Sequence, residues 1–107
     1  MKKTLIESSE ELYSQALETM KKKNADYGGN SGSMKNFEVS ATIANVTMSQ
    51  GILTRLVDKT TRIGNLIVKE GQVKDESIFD TVQDLINYAA ILYYALQIER
   101  EKKDIKL

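Results

Sequence analysis

Asp80, Asp84 and Asn87 recur at steps of four and three in the segment "DESIFDTVQDLINYAAILYY". On a helix of about 3.6 residues per turn they share one narrow stripe, with Glu76 one turn earlier. Ile91 and Ile98 continue that stripe, so the carboxylates sit beside a face that turns apolar and are expected to be half-buried. A carboxylate in that position needs a cation, a metal or hydrogen-bond donors. The preceding segment, "TRLVDKTTRIGNL", supplies a basic row: Arg55, Lys59 and Arg62 flank an apolar stripe, with Asp58 on their other side. If the two helices pack antiparallel, the basic row can face the acidic one. Arg and Lys grip phosphates, Arg in bidentate fashion. The acids would accept from ribose hydroxyls and base amino groups, or hold Mg²⁺ through oxygen ligands, and Asn87 would read a base edge. The structural alternative is an inter-helix ion-pair network that fixes register and does no chemistry.

A third group of candidates follows the first helical segment. Lys23, Asp26 and Tyr27 stand next to Gly28 and Gly29 in "KKKNADYGG". Tyr27 would stack on a base, and the glycines would let backbone approach a phosphate. Read as plain structure, the same residues are a glycine cap and a turn. The following "NSGSMKNF" is too degenerate for a phosphate-binding loop of the P-loop kind.

The bulk composition narrows the chemistry. The chain has 107 residues, 15 Lys plus Arg and 15 Asp plus Glu. That balance argues against a whole-surface grip on extended nucleic acid or on an anionic membrane. Histidine and cysteine are both absent, which removes the usual neutral-pH base, the thiol nucleophile and the commonest metal ligands. Catalysis would rest on carboxylates, an oxygen-bound metal, Lys or Tyr. The start "MKKTLIESSEELY" turns acidic by Glu7 and does not read as a signal peptide. The greasiest run, Ile86 to Ile98, is interrupted by Asn87 and Gln97 and is too short to span a bilayer. The expected location is the cytoplasm.

One domain, 1–107, accounts for the whole pattern. Proline is absent and no alternating strand pattern competes, so the expected fold is all-α: a small bundle of three long helices and one short one. Thr4 with Glu7 forms a capping box that opens the first helix, about Thr4 to Lys23, with Leu5, Leu12, Ala16 and Met20 as its inner stripe. A Gly/Asn/Ser-rich loop at 24–33 follows. A short helix from about Met34 to Val46 carries Phe37, Ala41 and Ala44 on one face. Thr47 with Gln50 is a second capping box, opening a helix over Met48 to Lys69 with Ile52, Leu56, Ile63 and Ile67 inside. Asp75 or Ser77 caps the last helix, which runs to about Lys102, and 101–107 is a charged tail.

The last helix is greasy nearly all round. Ile78, Val82, Leu85, Ala89, Leu92 and Leu96 fill one broad arc, while Phe79, Ile86, Ala90, Ile91, Tyr93 and Tyr94 spread beyond it. Such a helix is buried on several sides, and a chain this short can hardly surround it. The pattern therefore implies a homo-oligomer formed through the C-terminal helix; an exposed apolar patch of ordinary size is the alternative.

The runs "KKKNADYG", "KNFE", "GILTRLVDKTTRIGNL" and "VKDESIFDTVQDLINYAAI" together resemble small phage and prophage proteins related to the nucleotide modification associated domain 1 family. They are more remotely similar to the all-α NTP pyrophosphohydrolases (MazG-like proteins). The resemblance covers roughly residues 20 to 95. It implies a helical nucleotide-binding fold and, for the pyrophosphohydrolases, E-x-x-E on one helix and E-x-x-D on the next holding Mg²⁺. Here the second helix keeps Glu76, Asp80 and Asp84, spaced by four instead of three. The first pair is replaced by Asp58 or Lys59 and by Arg62. Positive charge where metal ligands should converge disfavours hydrolysis and favours phosphate binding.

Three functions follow as expectations. The first is a phage-type protein of the host cytoplasm that binds, and sequesters, a phosphorylated nucleotide or nucleotide signal. It would use Lys23, Asp26, Tyr27, Arg55, Lys59, Arg62, Asp80, Asp84 and Asn87 and require no cofactor; an anti-defence role against a cyclic dinucleotide or an ADP-ribose derivative would suit it. The second is an Mg²⁺-dependent NTP pyrophosphohydrolase with Asp58, Glu76, Asp80 and Asp84 on the metal. The third is a helical protein-interaction module with no ligand.

Overall fold

The computed structural model describes residues 2–26, 34–69 and 77–105. Four helices account for nearly all of them: α1 (Leu5–Asp26), α2 (Lys35–Ala44), α3 (Met48–Val68) and α4 (Ile78–Ile105). Among the described residues there is no strand, and no helix is long and apolar enough to cross a membrane.

The helix starts follow local chemistry. In the Thr4 capping box, the Thr4 amide donates to the Glu7 carboxylate at 3.1 Å and the Glu7 amide donates to Thr4 Oγ1 at 3.1 Å. The Thr4 amide on the carboxylate, with the Thr4 hydroxyl beside it, favours the ionised form and lowers the Glu7 pKa from its ordinary value. Thr47 and Gln50 form the same reciprocal pair at the start of α3. At the start of α4, Ser77 Oγ accepts from the Asp80 amide at 3.3 Å. Asn45 stops α2 in the left-handed region, at φ 59, and its amide bonds back to the last turn. This ends α2 earlier than Val46, whereas α1 runs one turn past Lys23 to Asp26.

α4 is the axis of the molecule. It packs against α3 on one side and α1 on another, α2 packs on α3, and α1 and α3 do not meet. Both long neighbours run antiparallel to α4. Toward α1, Thr19 donates to Gln83 at 2.9 Å and the Asn87 amide donates to the Ala16 carbonyl at 2.9 Å. Toward α3, Glu99 accepts from the Ser49 amide at 3.0 Å and from its hydroxyl at 2.6 Å, and Lys59 pairs with Asp84 at 3.3 Å. The Glu99 carboxylate thus caps the positive end of α3 from a neighbouring helix. With Lys59–Asp84 it fixes the α3–α4 register at two points about three turns apart.

The inner stripes are narrower than the sequence pattern suggests. On α3 from Ile52 onward, the buried or half-buried positions are Ile52, Leu56, Lys59, Ile63 and Leu66, in alternating steps of four and three. Leu66 takes the last place; Ile67, expected inside, is 63% exposed. The charged Lys59 holds a core position and hides the true period. On α4, the two fully buried residues are Thr81 and Ala95, which belong to the seam Thr81, Leu85, Tyr88, Leu92, Ala95, Glu99. Ala89 and Leu96, in the expected inner arc, are exposed. Leu5 on α1 and Ala44 on α2 likewise lie outside the core, while Ala16 and Ala41 are buried.

The resulting core is thin. Its buried apolar members are Ala16, Ala41, Ile52, Leu66 and Ala95, three of them alanines. The molecule is long, 55 × 28 × 26 Å, with a radius of gyration of 16.3 Å; a compact chain of this length has about 13 Å. It exposes 8626 Å², where a compact monomer of its mass exposes about 6,000 Å². Because α3 takes its start from a cap and not from a deep core, Thr47→Ala is expected to cost about 1 kcal/mol, read as a lowered midpoint in urea denaturation at unchanged slope.

Candidate functional site

The antiparallel pairing of α3 and α4 brings part of the two polar rows together. Lys59, on the inner stripe of α3, reaches Asp84 at 3.3 Å, with side-chain exposures of 22% and 33%. The Lys59 ammonium also stands 6.0 Å from the centre of the Tyr88 ring, at the outer limit of a cation–π contact. Arg55, Asp58, Arg62 and Asp80 are exposed. Arg62 makes an interaction of its own. Tyr27 and Glu76 lie outside the described residues, and so does Asp75; Asp26 is the last residue of α1.

The matched rows point to the space between α3 and α4, and the concavity lies elsewhere. Among the described residues, a groove of about 380 Å³ lies on the other flank of α4, walled by the C-terminal half of α1 and the start of α2. Its floor is α4, through Asp84, Asn87, Tyr88, Ile91 and Tyr94. Leu17, Met20 and the lysines Lys21 and Lys23 come from α1, and Met34 and Phe37 from the α2 end. Helical spacing explains the floor: Asp84, Asn87, Ile91 and Tyr94 advance by three, four and three, one continuous stripe.

Of the candidate residues, Lys23, Asp84 and Asn87 line this groove, and Lys59 touches it through Asp84. Arg55, Arg62, Asp58 and Asp80 are not among its lining residues. Asn87 is partly committed elsewhere, because its amide nitrogen donates to the Ala16 carbonyl. That acceptor fixes the orientation of the carboxamide: the nitrogen faces α1, so the oxygen points the other way. Lys21, Phe37, Tyr88 and Tyr94 are additional lining residues. In the sequence Phe37 reads as the inner face of its helix and Tyr94 as surface left for another subunit, while Tyr88 and Lys21 carry no signal of a site. Their convergence depends on where α2 lies against α3, with Ala41 so close to Gly51 that a Cβ added to the glycine would stand 3.9 Å from the Ala41 Cβ, a tertiary fact with no local signal.

The chemistry available is therefore aromatic and apolar walls, two lysines toward one side, and an ion pair with a carboxamide on the floor. The floor carboxylate is already neutralised by Lys59, so it can accept from a hydroxyl or amino group without setting a strong negative field against a bound phosphate. Among the described residues no three acids are grouped so as to hold a metal ion, and Glu76, the fourth candidate ligand, lies outside them. Since both ends of the Lys59–Asp84 pair are only partly solvated, Asp84→Ala leaves a half-buried ammonium unpaired. It is expected to cost about 1 kcal/mol, whereas Lys59→Met, which keeps the apolar stem and completes the inner stripe, is expected to stay within about 1 kcal/mol of the parent or gain stability. Urea denaturation of the two variants checks the contrast.

Comparison of the chain with protein-family models, with curated proteins and with solved structures gave no match.

Proposed function

We propose that the protein binds a phosphorylated nucleotide in the groove between α1, α2 and α4, as a sequestering protein of the phage type and as a homo-oligomer. The observation that carries this reading is the joint presence in one concavity of Phe37, Tyr88 and Tyr94 with Lys21, Lys23, Asp84 and Asn87. A volume of about 380 Å³ falls in the range of small-molecule sites, about 300–1,000 Å³. Aromatic faces stack on any base. Lys21 and Lys23 meet the phosphates as point charges. Asp84 accepts from a ribose hydroxyl or an exocyclic amine, and Asn87 Oδ1 adds a second acceptor. Binding of this kind needs no cofactor. Of the expected basic row, Lys59 has a role as the counter-ion that holds Asp84 in place; Arg55 and Arg62 are not assigned to the ligand.

Titration calorimetry with nucleoside mono- and triphosphates, deoxynucleotides, cyclic dinucleotides and ADP-ribose derivatives tests the reading. The expected outcome is that one class binds, and that Tyr94→Ala weakens it by about 5- to 150-fold, from the loss of about 1–3 kcal/mol of stacking. Lys21→Glu with Lys23→Glu is expected to abolish detectable binding while the helical circular dichroism is unchanged. Heat from slow turnover in the presence of Mg²⁺, lost in Asp80→Asn, would sink the non-catalytic reading in favour of a pyrophosphohydrolase.

A further inference from the structure

The α3–α4 pair carries a second apolar seam on each helix that the other described helices leave exposed along most of its length. On α4 it is Val82, Ile86, Ala89, Tyr93 and Leu96, in steps of four, three, four and three. On α3 it is Leu53, Val57, Thr60, Gly64 and Ile67, with the same steps. Tyr93 is 67% exposed, Leu96 50%, Leu53 48% and Val57 52%. A four-three alternation is the spacing of knobs-into-holes packing between helices. Each helix already uses one such seam against the other: Ile52, Leu56, Lys59, Ile63, Leu66 on α3 and Thr81, Leu85, Tyr88, Leu92, Ala95 on α4.

Handedness places the two spare seams together. Each spare seam is its helix's inner seam advanced by one residue, so at about 100° per residue both lie about 100° round, in the direction of increasing residue number. The helices are antiparallel, so rotations of the same sense bring both seams to one side of the pair. The α1 contact and the groove occupy the other side, through Gln83, Asn87 and Tyr94. The charges of α3, namely Arg55, Asp58, Lys59 and Arg62, are all off its spare seam. The spare seam of α4 carries no charge before Arg100.

We infer that this two-helix face is the interface of a twofold homodimer, in which α3 and α4 of two copies form a four-helix bundle. Three observations favour a second copy over another partner. From Val82 to Leu96 and from Leu53 to Ile67 the face carries no charge, so it offers no electrostatic selection for a foreign surface and meets no repulsion from its own image there. It is a pair of antiparallel heptad helices, the half of a bundle that another such half completes. It also leaves large apolar side chains open to a second identical face, with Ile67 63%, Tyr93 67% and Leu96 50% exposed. Gly64 marks the closest approach. A side chain added there meets nothing within 4 Å, so the chain itself gives no reason for a mid-helix glycine, which lowers helix stability relative to alanine. A neighbouring helix packed across Gly64, opposite Ala89, supplies one. The grooves of such a dimer face outward on opposite sides, one complete site per chain.

Light scattering after size exclusion, at concentrations from 1 to 100 µM chosen to span about a hundredfold around a micromolar Kd, tests this. The expected mass is twice 12.0 kDa. Tyr93→Glu and Gly64→Trp are expected to give monomer, and Ile43→Glu, on the exposed face of α2, is expected to leave the dimer intact. Gly64→Trp has open space in the isolated chain and should not unfold it. Monomeric parent protein over the whole range overturns the inference, as does an assembly indifferent to both seam substitutions. If either seam variant loses its helical signal, the melting temperature of the parent decides: a rise with concentration supports the dimer and a flat profile overturns it. None of these readouts involves a nucleotide, so the dimer and the ligand reading fail separately.

Discussion

A helix that is apolar on every flank has to be covered on every flank, and α4 is such a helix. Thr81, Leu85, Tyr88, Leu92 and Ala95 meet α3, while Gln83, Asn87 and Tyr94 turn toward α1 and the groove. Val82, Ile86, Ala89, Tyr93 and Leu96 turn toward neither. Each of the other elements can be understood as an answer to one of these flanks. α3 covers the first along its whole length and is held in register by Glu99 at one end and Asp84 at the other. α1 covers the second only partly, and α2, fastened to α3 through Ala41, leaves a gap beside it. That gap is the groove. A site made in this way is a shortfall of coverage over a helix that still demands contact, which is the condition under which a flat aromatic ligand gains most from binding.

The polar residues of α4 fit the same frame. Asp84 sits at the border between the α3 seam and the groove floor, and Asn87 at the border between the groove and α1. Each is tied by one protein partner, Lys59 and the Ala16 carbonyl respectively. A border position explains how a greasy helix keeps polar groups without a large desolvation penalty: each retains partial solvent and one fixed bond. It also gives them a second use, because atoms already held in place lose little freedom when a ligand arrives.

Much of this was legible in the sequence, and the failures have physical causes. The starts of α1, α3 and α4 were readable because a capping residue and its partner lie within three positions, so the interaction is local. The antiparallel meeting of the basic and acidic rows was readable at Lys59 and Asp84, where charge is carried on the inner stripe itself. The same lysine obscured the period of α3: excluding it from the apolar set leaves Ile67 as the natural end of the stripe, whereas counting it leads to Leu66. The groove was half legible. Lys23, Asp84 and Asn87 could be singled out by type and spacing, but Phe37 looks like core, Tyr94 like a subunit contact, and Tyr88 like neither in a one-dimensional reading. Only the position of α2 turns them into walls.

The central claim is that this groove takes up a phosphorylated nucleotide without altering it. The most direct measurement is a release assay: protein incubated with Mg²⁺ and a mixed nucleotide panel, filtered, then heat-denatured, with filtrate and released fraction analysed by mass spectrometry. The account predicts that one compound is depleted from the filtrate and recovered intact, at about one equivalent per chain, one groove to each copy. Hydrolysis products in the filtrate, or every compound passing through unchanged, would contradict it.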